Sequence, residues 1–252
     1  MEKITSSKNQ LVKTLKSLAR RQGREETGMF LVEGEVMIRE AMKCGLAIKE
    51  AIAVEKRSEF AASLPCPAYL VPENIMESVC DTKSPQGVCA AFSMPGELTL
   101  ESMPDTIVAL DGVQDPGNVG TIWRTADAAG FEALLLGAGC ADPLSPKVQR
   151  SAMGSGFRVP FGQTVDMPGA LLTLKGMGYS IICSDLGGTD FYSRSDPGKK
   201  YVLVIGNEAR GISGDTRGTA TMLVRLPMRG GAESLNAAVA AGIMMYGLKM
   251  EK

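Results

Sequence analysis

The chain has 252 residues, 44% hydrophobic and 22% charged, with 27 Lys plus Arg against 28 Asp plus Glu; that balance suits one large globular domain or two modest ones and excludes disordered and fibrous classes. It contains no histidine, which excludes Ser-His-Asp and Cys-His triads, HExxH metalloenzymes and histidine-based acid–base catalysis. The opening MEKITSSKNQ lacks a secretory pattern, no apolar run approaches the roughly 20 residues of a membrane span, and the six cysteines form no CxxC pair, so a cytoplasmic protein with reduced thiols and no metal is expected.

Residues 1–24 carry seven basic side chains and one acidic one, whereas 25–104 carry six basic and thirteen acidic. The basic run, which includes Lys8, Lys13, Lys16, Arg20, Arg21 and Arg24, reads either as a solvated helix face or as a surface for RNA phosphates. Leu11, Leu15 and Leu18, spaced i, i+4 and i+7 behind Ser6 and Ser7, predict a helix over 8–22. A strand at MFLVEG (29–34), a helix over 35–44, a strand at IKEAIAVE (48–55) and further alternation to GVCAAFSM (87–94) predict a small α/β domain over 1–96. Two prolines and a glycine in SMPGELTLESMPD (93–105) point to a linker, placed at 97–104.

A second domain over 105–252 opens with TIVALD (106–111), a helix over 118–129 and FEALLLG (131–137). Helices near 146–153 and 168–177, strands at YSIICS (179–184), YVLVIG (201–206) and TMLVRLP (221–227), and a helix over 235–249 follow. Strands of unbroken β-branched and leucine character, separated by helices, predict a parallel sheet covered on both faces.

In such a sheet ligands gather at the carboxyl ends of the strands. Three loops there carry polar side chains. GVQDPGNVGTIWRTADAAG (112–130) offers Asn118 as a helix cap and Arg124 in the first turns; NEARGIS (207–213) follows Gly206 and holds Glu208; MRGGAESLNAAVAAG (228–242) has Ser234 as the expected cap and Asn236 in the first turn. Each alone reads as a glycine turn opening a helix, and together they point to a site. Neither GxGxxG after a strand nor GxxxxGK[ST] occurs, which removes the dinucleotide and P-loop fingerprints. At helical positions Trp123 and Tyr246 read as packing residues before base-stacking ones, and Met244 and Met245 as core or interface.

LDGVQDPGNVGTIWRTADAAG (110–130), LVIGNEARGIS (203–213) and LPMRGGAESLNAAVAAGIMMY (226–246) resemble, in order, the three motifs of the SpoU/TrmH-type RNA 2′-O-ribose methyltransferases of the SPOUT class. ITSSKNQLVKTLKSLARRQGREETGMFLVEG (4–34) is similar to the ribosomal-protein-like RNA-binding α/β domain often fused to them. The resemblance implies an α/β fold whose carboxyl-terminal domain is a trefoil-knotted parallel sheet, a homodimer, S-adenosylmethionine as the cofactor, and RNA as the partner, ribosomal before transfer RNA. It implies a cofactor pocket framed by Gly206, Leu226, Met228, Ser234, Leu235 and Asn236, and a reacting ribose surrounded by Asn118, Arg124, Glu208, Ser234 and Asn236. The family assigns hydroxyl activation to the arginine at position 124. A guanidinium of pKa above roughly 12 is neutral in about one molecule in 10⁵ at pH 7, a cost of about 7 kcal/mol. Arg124 is therefore expected to stabilise the developing alkoxide, with Glu208 as an alternative base. Two other readings remain open: an RNA-binding module without catalysis, and a knotted enzyme that methylates a base.

Overall fold

A computed structural model describes residues 1–80 and 84–250; residues 81–83 and 251–252, which fall within the expected domains 1–96 and 105–252, lie outside the described residues. The chain divides into two compact units, Met1–Gly96 with Leu144–Phe157, and Glu97–Pro143 with Arg158–Lys252. The stretch 144–157, expected in the second domain, is thus counted with the first.

The first unit contains β1 (Glu2–Lys3), α1 (Gln10–Ser17), α2 (Arg21–Thr27), β2 (Met29–Glu33), α3 (Glu35–Lys43), β3 (Ile48–Ala53), α4 (Ser58–Ala62), β4 (Ala68–Leu70), α5 (Glu73–Cys80) and β5 (Val88–Ser93). Its sheet runs β1-β4-β3-β5-β2, with β5 antiparallel to both neighbours. The single helix expected over 8–22 is two helices, because the chain turns at Leu18–Arg20. The turn brings Gly23 against α1 so closely that a Cβ there would lie 2.2 Å from the Ser17 carbonyl oxygen. Val12, Leu15 and Leu18 are buried, and Leu11 sits at the margin.

That turn also corrects one expected RNA contact. Arg24 is 2% exposed, and its Nη1 donates to the Leu18 carbonyl at 2.8 Å. The guanidinium satisfies a carbonyl left free where α1 ends, a structural task. Lys8, Lys13, Arg20 and Arg21 are exposed and Lys16 is half-buried; Arg21 pairs with Glu25 at 2.7 Å.

The remaining elements are β6 (Thr106–Asp111), α6 (Pro116–Ala129), β7 (Ala133–Leu136), α7 (Pro146–Ala152), α8 (Ser155–Arg158), β8 (Phe161–Gln163), α9 (Met167–Gly176), β9 (Ser180–Asp190), β10 (Tyr201–Gly206), α10 (Gly214–Gly218), β11 (Met222–Arg225) and α11 (Ala237–Lys249). The second sheet is wholly parallel, in the order β11-β9-β10-β6-β7-β8. Ile107, Ala109, Val202 and Val204 pack with Leu171 and Leu174 of α9, and α6 and α11 pack together. Residues of β6 and β10 are buried whichever way they alternate, hence their unbroken apolar sequences. The three-residue β8 is too short to show a periodicity.

The expected linker 97–104 belongs to the second unit. The Leu98 amide donates to Phe161 at 2.8 Å, Thr99 and Ser102 close a capping box, and Leu98 and Leu100 pack on the core. Trp123 is fully buried, its Nε1 donating to Val159 at 2.9 Å beside Phe161, so it is a packing residue.

Arg24→Ala is expected to lower the urea midpoint of the first unit by a loss of about 1.5–3 kcal/mol, the usual worth of a buried hydrogen bond from a charged group; an unchanged midpoint would remove this role for Arg24.

Candidate functional site

The site begins where the second sheet splits. β9 pairs with β10 through Cys183 opposite Val204 and with β11 through Leu223 opposite Cys183, but the next β11 residue, Val224, pairs with Thr189. Ser184–Gly188 is therefore an excursion, and β9 leaves β10 while keeping β11. Gly188 permits this, since a Cβ there would lie 2.5 Å from the Leu223 carbonyl carbon.

β10 ends in a second tight feature. Asn207 and Gly211 exchange backbone hydrogen bonds of 2.9 and 2.8 Å around Glu208, Ala209 and Arg210. Gly206 lies beneath, where a Cβ would sit 2.2 Å from the Gly211 carbonyl carbon, and Gly211 has a φ of +68°. Both positions need glycine. The Asn207 side chain ties this turn to Gly112 at 2.8 Å, and Asp111 accepts from the Ser213 amide at 2.9 Å.

Between the two features lies a cavity of about 490 Å³. Its walls include Ser184–Gly187, Ile205–Ile212, Leu226, Met228, Ser234, Leu235 and Met244. That volume lies within the usual range for a small-molecule site, and the mixture of apolar side chains with backbone polar groups is also usual there. Asp185 and Arg217, paired at 3.5 Å, stand at the wall with Arg225. A purine and an amino acid chain need such a combination of apolar surface, backbone partners and both signs of charge, so these residues fit S-adenosylmethionine.

Beside the cavity three loops are joined by one directed chain of hydrogen bonds. Asn236 is the N-cap of α11, its Oδ1 accepting from Ala238 at 2.9 Å and Val239 at 3.3 Å. Its Nδ2 donates to Asn118 Oδ1 at 3.0 Å, and Asn118 Nδ2 donates to Glu208 Oε1 at 2.9 Å. The Glu208 carboxylate also accepts from the amides of Asp115 and Gln114, each at 3.2 Å.

Both expected caps are thereby corrected. Asp115 caps α6, accepting from the Asn118 amide at 2.8 Å with Pro116 following, which leaves the Asn118 side chain for the relay. Asn236 caps α11 in place of Ser234.

Burial raises the Glu208 pKa, but the hydrogen bonds from Asn118 and from the backbone of Asp115 and Gln114 outweigh it, and the net shift is downward. A carboxylate held ionised in this way is a poor proton acceptor, which argues against Glu208 as the base. Cys183 is pushed up to about 12 by burial and then by the Asp111 and Asp185 charges. It is protonated at neutral pH and offers no nucleophile. Among the described residues no group of three His, Cys, Asp or Glu could hold a metal, and no helix is long and apolar enough to cross a membrane.

Of the expected cofactor residues, Gly206, Leu226, Met228, Ser234 and Leu235 line the cavity, whereas Asn236 stands in the relay. Glu208 belongs to both. Arg124 lies six residues beyond Asn118 on α6, exposed and away from the cavity walls; six residues correspond to about 9 Å of rise and roughly a third of a turn between side chains. Sequence reasoning missed Ser184–Gly187. DLGG directly after an apolar strand was the available signal, since paired glycines there mark a backbone excursion. Met244, read as core or interface, also lines the cavity.

The family model described as SpoU rRNA Methylase family matches residues 105–246, and the MRM3-like substrate binding domain matches 9–90. The chain is 35% identical over 252 residues to the 23S rRNA (guanosine(2553)-2′-O)-methyltransferase RlmP of Bacillus subtilis, covering 99% of this chain and 100% of that one. It is similar to the AdoMet-bound rRNA methyltransferase from Sinorhizobium meliloti, with TM-score 0.87, 31% identity and coverage of 98% and 97% of the two chains. It also resembles the SpoU methyltransferase AviRb from Streptomyces viridochromogenes in complex with AdoMet, with TM-score 0.86, 28% identity and coverage of 96% and 97%.

A carboxyl whose folded pKa lies below its unfolded value adds stability above the unfolded value, and loses it as pH falls through the folded one. Wild type should therefore melt above Glu208→Gln at neutral pH, and the gap should close as pH falls through the lowered Glu208 value; thermal melts across pH 7 to 3 test this, and a pH-independent gap would contradict it.

Proposed function

This chain belongs to the SpoU rRNA methylase family and is an S-adenosylmethionine-dependent RNA ribose 2′-O-methyltransferase, and from that premise we propose that it modifies ribosomal RNA in the cytoplasm as a homodimer with a trefoil-knotted catalytic domain. The observation that carries the site assignment is the cavity between Ser184–Gly187 and Gly206–Ile212, bordered by the Asn236–Asn118–Glu208 relay. Ribosomal RNA is supported by the relative named as a 23S rRNA methyltransferase and by the matched substrate binding domain.

The cofactor supplies a methyl group already activated on a sulfonium. The chain's own task is to align the 2′-oxygen and ease the loss of its proton. Leu226, Met228, Leu235 and Gly206 would wall the donor site, and Ser234, which lines the same cavity, would offer its hydroxyl to the ribose. Glu208 orients Asn118, and Asn118 with Asn236 holds the three loops in register.

Arg124 is exposed and absent from the cavity of its own chain, and a dimer resolves this. Along α11 and its entry, Leu235, Val239, Ile243, Tyr246 and Met250 form an exposed stripe at helical spacing, although Ala238, Ala241, Met245 and Leu248 already bury the other side of the helix. A helix apolar on both sides needs a second cover. A partner packed on this stripe brings Arg124 of the partner subunit to the reacting ribose, where its charge stabilises the alkoxide and clamps the neighbouring phosphate. The proposed knot is supported by the path of the chain, which leaves edge strand β11 and carries α11 back onto β10 and α6.

Tritium transfer from labelled S-adenosylmethionine to total RNA of a strain lacking the gene should place label in a 2′-O-methylated nucleoside of ribosomal RNA. Label confined to transfer RNA would overturn the substrate, and label in a base would overturn the ribose assignment. Arg124→Ala should retain cofactor binding by calorimetry and lose at least about 100-fold in transfer rate, the scale for removing an oxyanion-stabilising donor; near-normal transfer would remove its role.

A further inference from the structure

A second depression, of about 210 Å³, adjoins the donor cavity and shares Leu226, Met228 and Leu235 with it. Its remaining wall includes Tyr192, Arg229 and Ile243, and none of its lining residues is acidic. Whatever occupies it lies next to the methyl donor.

Tyr192 is an unusual wall residue, since its backbone amide is held by a cap while the residue is 62% exposed. It sits in the single turn Phe191–Ser193, where Asp190 caps by accepting from the Tyr192 amide at 2.9 Å. Phe191 is fully buried beneath α11, so close to Gly247 that a Cβ there would lie 2.5 Å from its ring. Arg194 lies 3.9 Å over the Phe191 ring and donates to the carbonyls of Phe191 at 2.6 Å and Gly247 at 2.9 Å. The Tyr192 ring stands edge-on to Phe191, with centroids 5.4 Å apart. The turn is bolted to the last helix and presents one aromatic face to solvent.

We propose that this depression receives the base of the target nucleotide, with the Tyr192 ring stacked on the base and Arg229 meeting an adjacent phosphate. An unpaired base has flat apolar faces that stack on aromatic side chains whatever its identity, and it enters joined to a negatively charged backbone. An aromatic ring on a fixed turn, a cation and a lining without acidic residues match both properties. The walls shared with the donor cavity then place the attached ribose beside the methyl group. Because the turn is held before RNA arrives, little ordering cost is added on binding.

The inference rests on the methyltransferase reading above, and Leu235 and Ile243 also belong to the stripe assigned to the partner subunit, so the test must separate three causes. Full-length wild type, Tyr192→Ala and Tyr192→Phe are compared for KM and kcat with total ribosomal RNA from the gene-deleted strain, for S-adenosylmethionine affinity by calorimetry, and for mass by light scattering. Tyr192→Ala should raise the RNA KM roughly tenfold, the scale of losing one base–aromatic stack, with cofactor affinity and mass unchanged, and Tyr192→Phe should restore it. An unchanged KM, damage in Tyr192→Phe equal to that in Tyr192→Ala, or dissociation to monomers would each overturn the stacking role. A wild-type protein that transfers no methyl group to ribose would instead sink the underlying reading.

Discussion

The catalytic half depends on the direction of three hydrogen bonds. Asn236 can donate to Asn118 only because its oxygen is already occupied by the first turn of α11, and Asn118 can then donate only to an acceptor, which Glu208 supplies. The backbone amides of Gln114 and Asp115 complete the carboxylate. Each member has its polarity imposed by the one before it, as satisfied polar networks require. An aspartate at either asparagine would put two acceptors face to face. The relay is therefore an assembly device that joins segments 118 and 90 positions apart in sequence.

The space for the ligand has a separate origin. A parallel sheet with both faces covered has no room for a small molecule between its strands, so one must open. Here β9 parts from β10 after Cys183 and resumes its pairing with β11 at Thr189, after the five-residue detour at Ser184–Gly188. The opening falls at the carboxyl ends of the strands, where α/β sheets commonly bind ligands. Glycine at 188 and 206 lets two backbones approach where any side chain would collide.

Much of this was legible in the sequence because it has a period or a motif. Unbroken apolar strands announced the parallel sheet, and the motifs around Asn118, Glu208 and Asn236 announced the three loops. What stayed hidden depends on contacts distant in sequence. Leu11, Leu15 and Leu18 imitate one long helix, and the break at Leu18–Arg20 follows from Gly23 packing against Ser17 and Arg24 reaching back to Leu18. Arg24 counts as surface charge in any tally of basic residues, and only folding shows it buried. The detour at 184–188 escaped because a bulge is a relation between two strands. Asn118 and Ser234 were plausible caps by residue type, and local geometry favoured Asp115 and Asn236 instead.

Asn236 directly precedes the helix Ala237–Lys249 and is its N-cap. Its amide is aimed only once that helix has formed and accepted its cap. During synthesis, all other parts of the site leave the ribosome before the element that aligns them. A nascent chain can therefore carry Glu208, Asn118 and the glycine turns while the relay that Asn236 closes is still open.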